Sequence, residues 1–346
     1  MSAMEFEANC LTTGIGSVPW TDAAVACEQV LAHADIPYWP QLYRRSFNES
    51  LPQFFEGFPG LVVEGESLVI DSDLFARELE PFYQKIIDFE SRGTLEGFAI
   101  SEGYAPGLHH FVELKDRLQA AKAVKGQIVG PVSFGLSVTA SDGRPMIYDE
   151  TMREALVRNL QMKAVYQERL LRTVNPDTMI FIDESSLDRI YSPFIGYDEA
   201  QARQDLAAIL AAIKGLKGVH CCTNTNWPFL LEMIDVISFD AFRYSGEFMM
   251  HHAAIKKFLE RGGVITWGIV PASEDVFHET AAGLANRLEA VFQSLYSLGI
   301  GQAAVLKNSL VTPVCGLGTG SVQTALRAFE LTKEVSALLR REYSLR

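Results

Sequence analysis

From about residue 90 onward, short β-rich runs alternate with longer stretches whose apolar residues recur at spacings of three and four. Such alternation is the signature of βα units rather than of an all-helical or all-β domain. Candidate strands fall at residues 97–100, 126–129, 179–182, 218–221, 236–239, 264–267 and 309–312, and an eighth lies near the N-terminus at 10–15. Helices are predicted over 149–173, 198–213, 274–298 and 321–339. Another begins at Ala23, where Thr21 or Asp22 can cap the first turn. No linker or low-complexity stretch divides the 346 residues, and α/β barrels routinely run past about 250 residues as one unit. The predicted fold class is therefore α/β, a single (β/α)8 TIM barrel over residues 1–346.

Residues 35–72 break the alternation. Ile36-Pro37-Tyr38-Trp39-Pro40 leads into a short helical stretch, and 60–70 reads as a β-hairpin turning near Glu64-Gly65. This segment is read as an N-terminal insertion after the first strand, placed to cap one end of the barrel.

Active sites of such barrels lie at the C-terminal ends of the strands. The polar residues there are, in chain order, Gly16-Ser17, Ser101-Glu102, Gly130-Pro131, Asp183-Glu184, His220 with Cys222, Asp240, the 267–271 turn and Cys315. Side chains alternate along an extended strand, so His220-x-Cys222 presents an imidazole and a thiol on one face. That pair suits zinc. Structural zinc usually draws on paired Cys-x-x-Cys or His-x-x-x-His units, whereas a lone His-x-Cys answered by the distant Cys315 makes three ligands and an open position, as in catalytic zinc. The competing reading is packing, because cysteine is often buried as a small hydrophobe and a lone histidine is often a core residue. Asp240 could approach the metal as a carboxylate ligand, cap a helix, or hydrogen-bond a ligand. Asp183 and Glu184 end an apolar strand, where a buried charge needs a partner: a substrate ammonium, or an internal Arg or Lys. Glu102, at the end of the 97–100 run, is a candidate substrate contact.

A formal charge of −13 with no basic run opposes binding to a polyanion, so no nucleic-acid partner is expected. The hydrophobic fraction is 48%, yet no uninterrupted apolar stretch is long enough to cross a bilayer. The N-terminal Met1-Ser2-Ala3-Met4-Glu5-Phe6-Glu7 has neither a basic nor an apolar leader region. A cytoplasmic location is the expectation. Five cysteines, odd in number and with Cys221 and Cys222 adjacent, do not form a disulfide framework. Cys10 and Cys27 are read as packing residues.

Taken together these residues resemble the catalytic barrel of cobalamin-independent methionine synthase and, more widely, the superfamily it shares with uroporphyrinogen decarboxylase and the zinc thiol methyltransferases of methanogens. The resemblance rests on Thr13-Gly14-Ile15-Gly16-Ser17-Val18-Pro19, Ile182-Asp183-Glu184, His220-x-Cys222, Asp235-Val236-Ile237-Ser238 before Asp240, and Cys315-Gly316-Leu317-Gly318. These segments stand in the family's order and cover most of the chain. The resemblance implies Zn2+ bound by His220, Cys222 and Cys315, with Asp240 standing where the synthases carry a glutamate ligand. It further implies that Ser17 and the backbone near Ile15 hold the carboxylate of a thiol amino acid such as homocysteine, and that Asp183 holds its ammonium. Asp183 and Asp240 would be the acids of the reaction.

Two departures from the family pattern bear on the methyl donor. Where the synthases follow their seventh strand with an Asp-x-His-Ser-Pro-like segment, this chain has Trp267-Gly268-Ile269-Val270-Pro271, and His278 lies several residues beyond. The long synthases also carry a second, N-terminal barrel, for which 346 residues leave no room. A folate amine needs proton assistance to leave and a methyl–cobalt bond does not. A methylcorrinoid, free or carried by a partner protein, is thus expected as donor in preference to methyl-tetrahydrofolate. Hydrolytic zinc more often takes His and carboxylate ligands, so two thiolates favour methyl transfer to a thiol over hydrolysis. Two other readings stay open: a uroporphyrinogen decarboxylase-like enzyme, to which 36–39 followed by Arg44-Arg45 loosely points, and a non-catalytic barrel that binds a thiol amino acid.

Overall fold

Short runs rich in Val, Ile and Phe form seven parallel strands: β1 (Leu11–Thr12), β2 (Val124–Val129), β3 (Thr178–Asp183), β4 (Leu216–Cys221), β5 (Val236–Asp240), β6 (Val264–Val270) and β7 (Ser309–Pro313). In the computed structural model, which describes residues 6–43, 52–64, 67–192 and 195–345, they pair in the order β1-β7-β6-β5-β4-β3-β2. The result is an α/β protein with a curled parallel sheet, consistent with a TIM-like barrel. The helices include α1 (Ala23–His33), α2 (Glu150–Leu171), α3 (Glu199–Ala212), α4 (Ala241–Met249), α5 (Ala281–Ser297) and α6 (Val322–Glu342). Asp22 caps α1 by accepting the Val25 N–H at 2.9 Å. Asp149, Asp198, Thr280 and Ser321 cap α2, α3, α5 and α6 in the same way, each cap stabilising its helix by about 1 kcal/mol. Among the described residues, no helix is long and apolar enough to cross a membrane.

Strand alternation sorts the apolar side chains into two separate sets. Met179, Phe181, Leu216, Val236, Val264 and Leu310 pack with Phe6 and Ile36 inside the curl of the sheet, at its N-terminal end. Ile180, Ile182, Val219, Cys221, Ile237, Phe239, Ile265 and Trp267 belong to the larger core shared with the helices. On that outer face Phe239 stacks on Phe248 with ring centroids 4.3 Å apart and meets Trp267 edge-on at 5.7 Å. Such pairs add about 0.5–1.5 kcal/mol each beyond their buried area. They brace β5 and β6 from behind.

Two expectations need correction. The run at 97–100 is not a strand: Glu96–Phe98 is a 3₁₀ turn. Side chains take the backbone groups a ladder would use, since Lys163 Nζ donates to the Ala99 carbonyl at 2.9 Å, His109 Nε2 to the Ile100 carbonyl at 2.7 Å, and the Ser101 N–H to Glu56 at 2.7 Å. The position between β1 and β2 is held instead by residues 36–39, assigned above to the insertion. The Ile36 N–H donates to the Thr12 carbonyl at 2.9 Å, the Lys125 N–H to the Pro37 carbonyl at 2.8 Å, and Tyr38 bridges Lys125 in parallel. The hairpin itself is present, with Leu61–Glu64 antiparallel to Ser67–Ile70. Gly65 at its turn, like Arg44 and Arg45, lies outside the described residues.

Candidate metal centre

The register of the sheet brings the polar strand ends together. Asp183 on β3 is opposite His220 on β4, His220 is opposite Ser238 on β5, and Ser238 is opposite Thr266 on β6. All four therefore point the same way, into the curl, above the apolar layer of Phe181 and its neighbours. His220 is buried, and its Nδ1 lies 3.0 Å from Ser238 Oγ while its Nε2 is enclosed without a hydrogen-bond partner. Cys222 continues the same face two residues on, and Cys315 arrives from beyond β7. One ligand atom from each of His220, Cys222 and Cys315 lies within 4.8 Å of the others.

This geometry fits a metal ion. Leaving a buried imidazole nitrogen unpaired costs about 1–3 kcal/mol, and a cation at Nε2 would relieve that cost. One nitrogen and two sulfurs make a zinc donor set with an open fourth position. The hydrogen bond from Cys315 holds the Cys222 thiol well below its ordinary range, and His220 assists, whereas Cys315, which supplies that proton, is pushed up. Cys221 behaves oppositely to its neighbour: it belongs to the helix-facing core, its Sγ donates to the Thr223 carbonyl at 3.4 Å, and burial pushes its thiol up to about 12.

Cys315 is placed by contacts with the N-terminal Thr13–Ser17 segment. The Ser17 carbonyl accepts the Leu317 N–H at 2.8 Å, and Ser17 Oγ accepts the Gly318 N–H at 3.3 Å. Gly316 passes so close to Ser17 that an added Cβ would overlap Ser17 Oγ. Ser17 thus supports the loop that carries Cys315, while the Ile15 carbonyl accepts from Lys125 Nζ at 2.6 Å.

The four acids read from the sequence part company. Asp183 opens onto the site with its Oδ1 enclosed and unpartnered; burial pushes its carboxyl up, and Lys125 and then His220 oppose that. Glu184, one residue on, faces the other way. It accepts the Val132 N–H at 3.0 Å, the Ser133 N–H at 2.8 Å and the Ser133 hydroxyl at 2.6 Å, so it anchors the helix Pro131–Ser137 rather than a substrate. Asp240 is the N-cap of α4, accepting the Arg243 N–H at 2.9 Å, with the Arg243 guanidinium 3.4 Å from its other oxygen. It stands outside the three-residue cluster. Glu102 is exposed on a turn after the 3₁₀ segment, not at a strand end. Beside Cys315 a cavity of about 210 Å³ is lined by Asp240, Phe242, Arg243, Ser273 and Asp275.

Sequence reasoning missed Lys125, Gln127, Ser238, Thr266 and Thr312. Lys125 and Gln127 are fully buried on β2, four and two residues before Val129, which pairs with Asp183. Counting back by two from Val129 would have found them. Thr266 and Thr312 each carry an enclosed hydroxyl without a partner, so the C-terminal half of the interior is a polar chamber.

No protein-family model and no curated protein matches the chain. Solved structures do match it. A candidate vitamin-B12-independent methionine synthase from Listeria monocytogenes superposes with a TM-score of 0.57 over 96% of this chain and 97% of that one, at 14% identity. A methyltransferase from Methanosarcina mazei gives 0.53 over 98% and 94%, at 13% identity. The fold is that of the vitamin-B12-independent methionine synthase-like proteins. A synthase of this kind from Shewanella, solved with selenomethionine, also aligns, with a TM-score of 0.47 over 68% of each chain and 16% identity.

Proposed function

We propose that the protein is a zinc-dependent methyltransferase that moves a methyl group to a thiol such as homocysteine. The observation that carries the proposal is the cluster of His220, Cys222 and Cys315, in which the Nε2 of His220 is buried without a hydrogen-bond partner. When bound there, zinc would hold the acceptor sulfur as a thiolate at neutral pH and keep it nucleophilic. His220 would ligate through Nε2 with its ring fixed by Ser238 at Nδ1. Asp183, with its free Oδ1 beside His220, is positioned to receive the acceptor's ammonium group. Ser17, which lies against the loop that follows Cys315, and the backbone near Ile15 are assigned to the carboxylate. The sulfur lone pair forms the new S–CH3 bond as the methyl group leaves its donor without the bonding pair.

A donor whose leaving atom needs no proton suits this site. Trp267 points outward, its indole N–H donating to Ser309 Oγ at 2.9 Å, and Gly268 places no side chain toward the interior. No histidine or acid stands within Trp267–Pro271 itself, which supports a methylcorrinoid over methyl-tetrahydrofolate. The same reading takes the curled sheet as a complete (β/α)8 barrel and a single domain, with residues 36–39 in the place of its second strand. Metal content and turnover test the proposal together. Protein purified without added metal should hold one zinc, lose it in the Cys222→Ser, Cys315→Ser double variant and keep it in Cys221→Ser. It should methylate homocysteine with methylcobalamin as sole donor. Stoichiometric zinc in the double variant refutes the ligand assignment, and bound zinc and thiol without turnover would make the barrel a binding protein.

A further inference from the structure

Lys125 is an interior cation near enough to Asp183 to act on its carboxyl, and the chemistry above does not use it. Its side chain is completely buried, lying over the rings of Phe181 and Tyr38 at 4.6 and 5.5 Å from their centroids. Both of its hydrogen bonds go to neutral oxygens: the Ile15 carbonyl at 2.6 Å and Gln127 Oε1 at 3.1 Å. Gln127 in turn donates to the Trp39 carbonyl at 3.0 Å. A desolvated ammonium is expensive to bury, so its place is defined by the few acceptors it reaches. The Ile15 carbonyl is the one that belongs to a loop rather than to a strand.

That loop continues to Ser17, whose carbonyl and hydroxyl hold the backbone of Leu317 and Gly318. Gly16 packs flush on Gln127, since an added Cβ would come within 2.8 Å of Gln127 Cδ. A continuous path of hydrogen bonds and backbone therefore runs from Lys125 through Ile15 and Ser17 to the loop immediately after Cys315. We propose that Lys125 is a positioning residue for Cys315, a buried ammonium that clamps the Thr13–Ser17 loop and through it sets where the third sulfur sits. The inference rests on the reading of His220, Cys222 and Cys315 as metal ligands.

Lys163 supplies the control. It is also a buried lysine donating to two backbone carbonyls, Glu56 at 2.7 Å and Ala99 at 2.9 Å, and neither bond goes to the Ser17 loop. The experiment compares Lys125→Met with Lys163→Met in the full chain, with thermal unfolding recorded for both. Co2+ and Zn2+ affinities are measured by competition with a chromophoric chelator, and amide hydrogen exchange is followed at 13–18 and 316–318. Lys125→Met should weaken both metals by about tenfold or more, the loss typical of removing an outer-shell support, change the cobalt absorption, and speed exchange in both loops. Lys163→Met should lower stability while leaving metal affinity within about twofold. Unchanged affinity and exchange in Lys125→Met, or equal losses in Lys163→Met, would overturn the assignment. Should the unmodified protein bind neither ion, the metal reading fails, and the exchange data alone decide the clamp: faster exchange in both loops upholds it and unchanged exchange refutes it.

Discussion

Ser238→Ala removes one hydroxyl from a fully buried position and deletes the only hydrogen bond described at His220 Nδ1, 3.0 Å long. In the intact protein that bond fixes the orientation of the imidazole, and with zinc on Nε2 it would make Nδ1 the donor to Ser238. Without it a buried ring nitrogen has no partner, a cost of about 1–3 kcal/mol. The ring is also free to turn. Outer-shell partners of metal-bound histidines are typically worth about 10–100-fold in affinity. The two estimates meet near 2 kcal/mol, or roughly thirtyfold weaker zinc binding. The assay is an anaerobic zinc titration of Ser238→Ala, Ser238→Thr and the parent protein against a chromophoric chelator. Ser238→Thr, which keeps a hydroxyl, should recover most of the loss. An Ala variant that binds zinc within about twofold of the parent would show that Nε2 is not the liganding atom or that Ser238 does not orient it.

Three further outcomes follow from named contacts. Gly316→Ala should displace the Cys315 loop, because the new Cβ would overlap Ser17 Oγ; lower zinc content with an otherwise folded protein is expected, and unaltered zinc would show that the loop relaxes freely. Asp183→Asn should weaken homocysteine by about tenfold or more, the scale of a charge-assisted hydrogen bond, while sparing simple thiols that lack an amino group; equal losses measured by calorimetry would make Asp183 structural. Burial raises Glu184 from its ordinary 4.5 to about 7, so the folded state keeps this proton more tightly than the unfolded chain. Its contribution is complete below about pH 4.5 and is lost as pH rises to about 7, a change of roughly 3 kcal/mol. Denaturant unfolding of the parent relative to Glu184→Gln across that range reads the difference, and a flat difference would count against it.

The strands at 126–129, 179–182, 218–221, 236–239, 264–267 and 309–312 were legible in the sequence because apolar runs report burial directly, and each falls within a strand of the sheet. His220, Cys222 and Cys315 were legible because strand alternation puts the first two on one face and all three fall at strand ends, and the structure gathers them. What sequence pattern could not rank was competition for backbone hydrogen bonds. Residues 97–100 have strand composition, yet Lys163, His109 and Glu56 occupy their backbone groups. Residues 36–39 contain Pro37, run into Pro40 and look like a loop, yet they meet open donors and acceptors on both edge strands. The fates of adjacent acids were settled the same way: Asp183 opens onto the metal cluster, while Glu184 is consumed by three donors from the helix Pro131–Ser137. Lys125 lay hidden for a related reason. On its own strand it reads as a solvent-facing lysine, and only the closing of the sheet over it, with Ile15 and Gln127 as its acceptors, makes it an internal cation. A chain's own sequence sets the period and burial of each segment, but the partner that satisfies a buried polar group often comes from another element, as Ser133 does for Glu184 and Ile15 for Lys125, and that choice exists only in the folded protein.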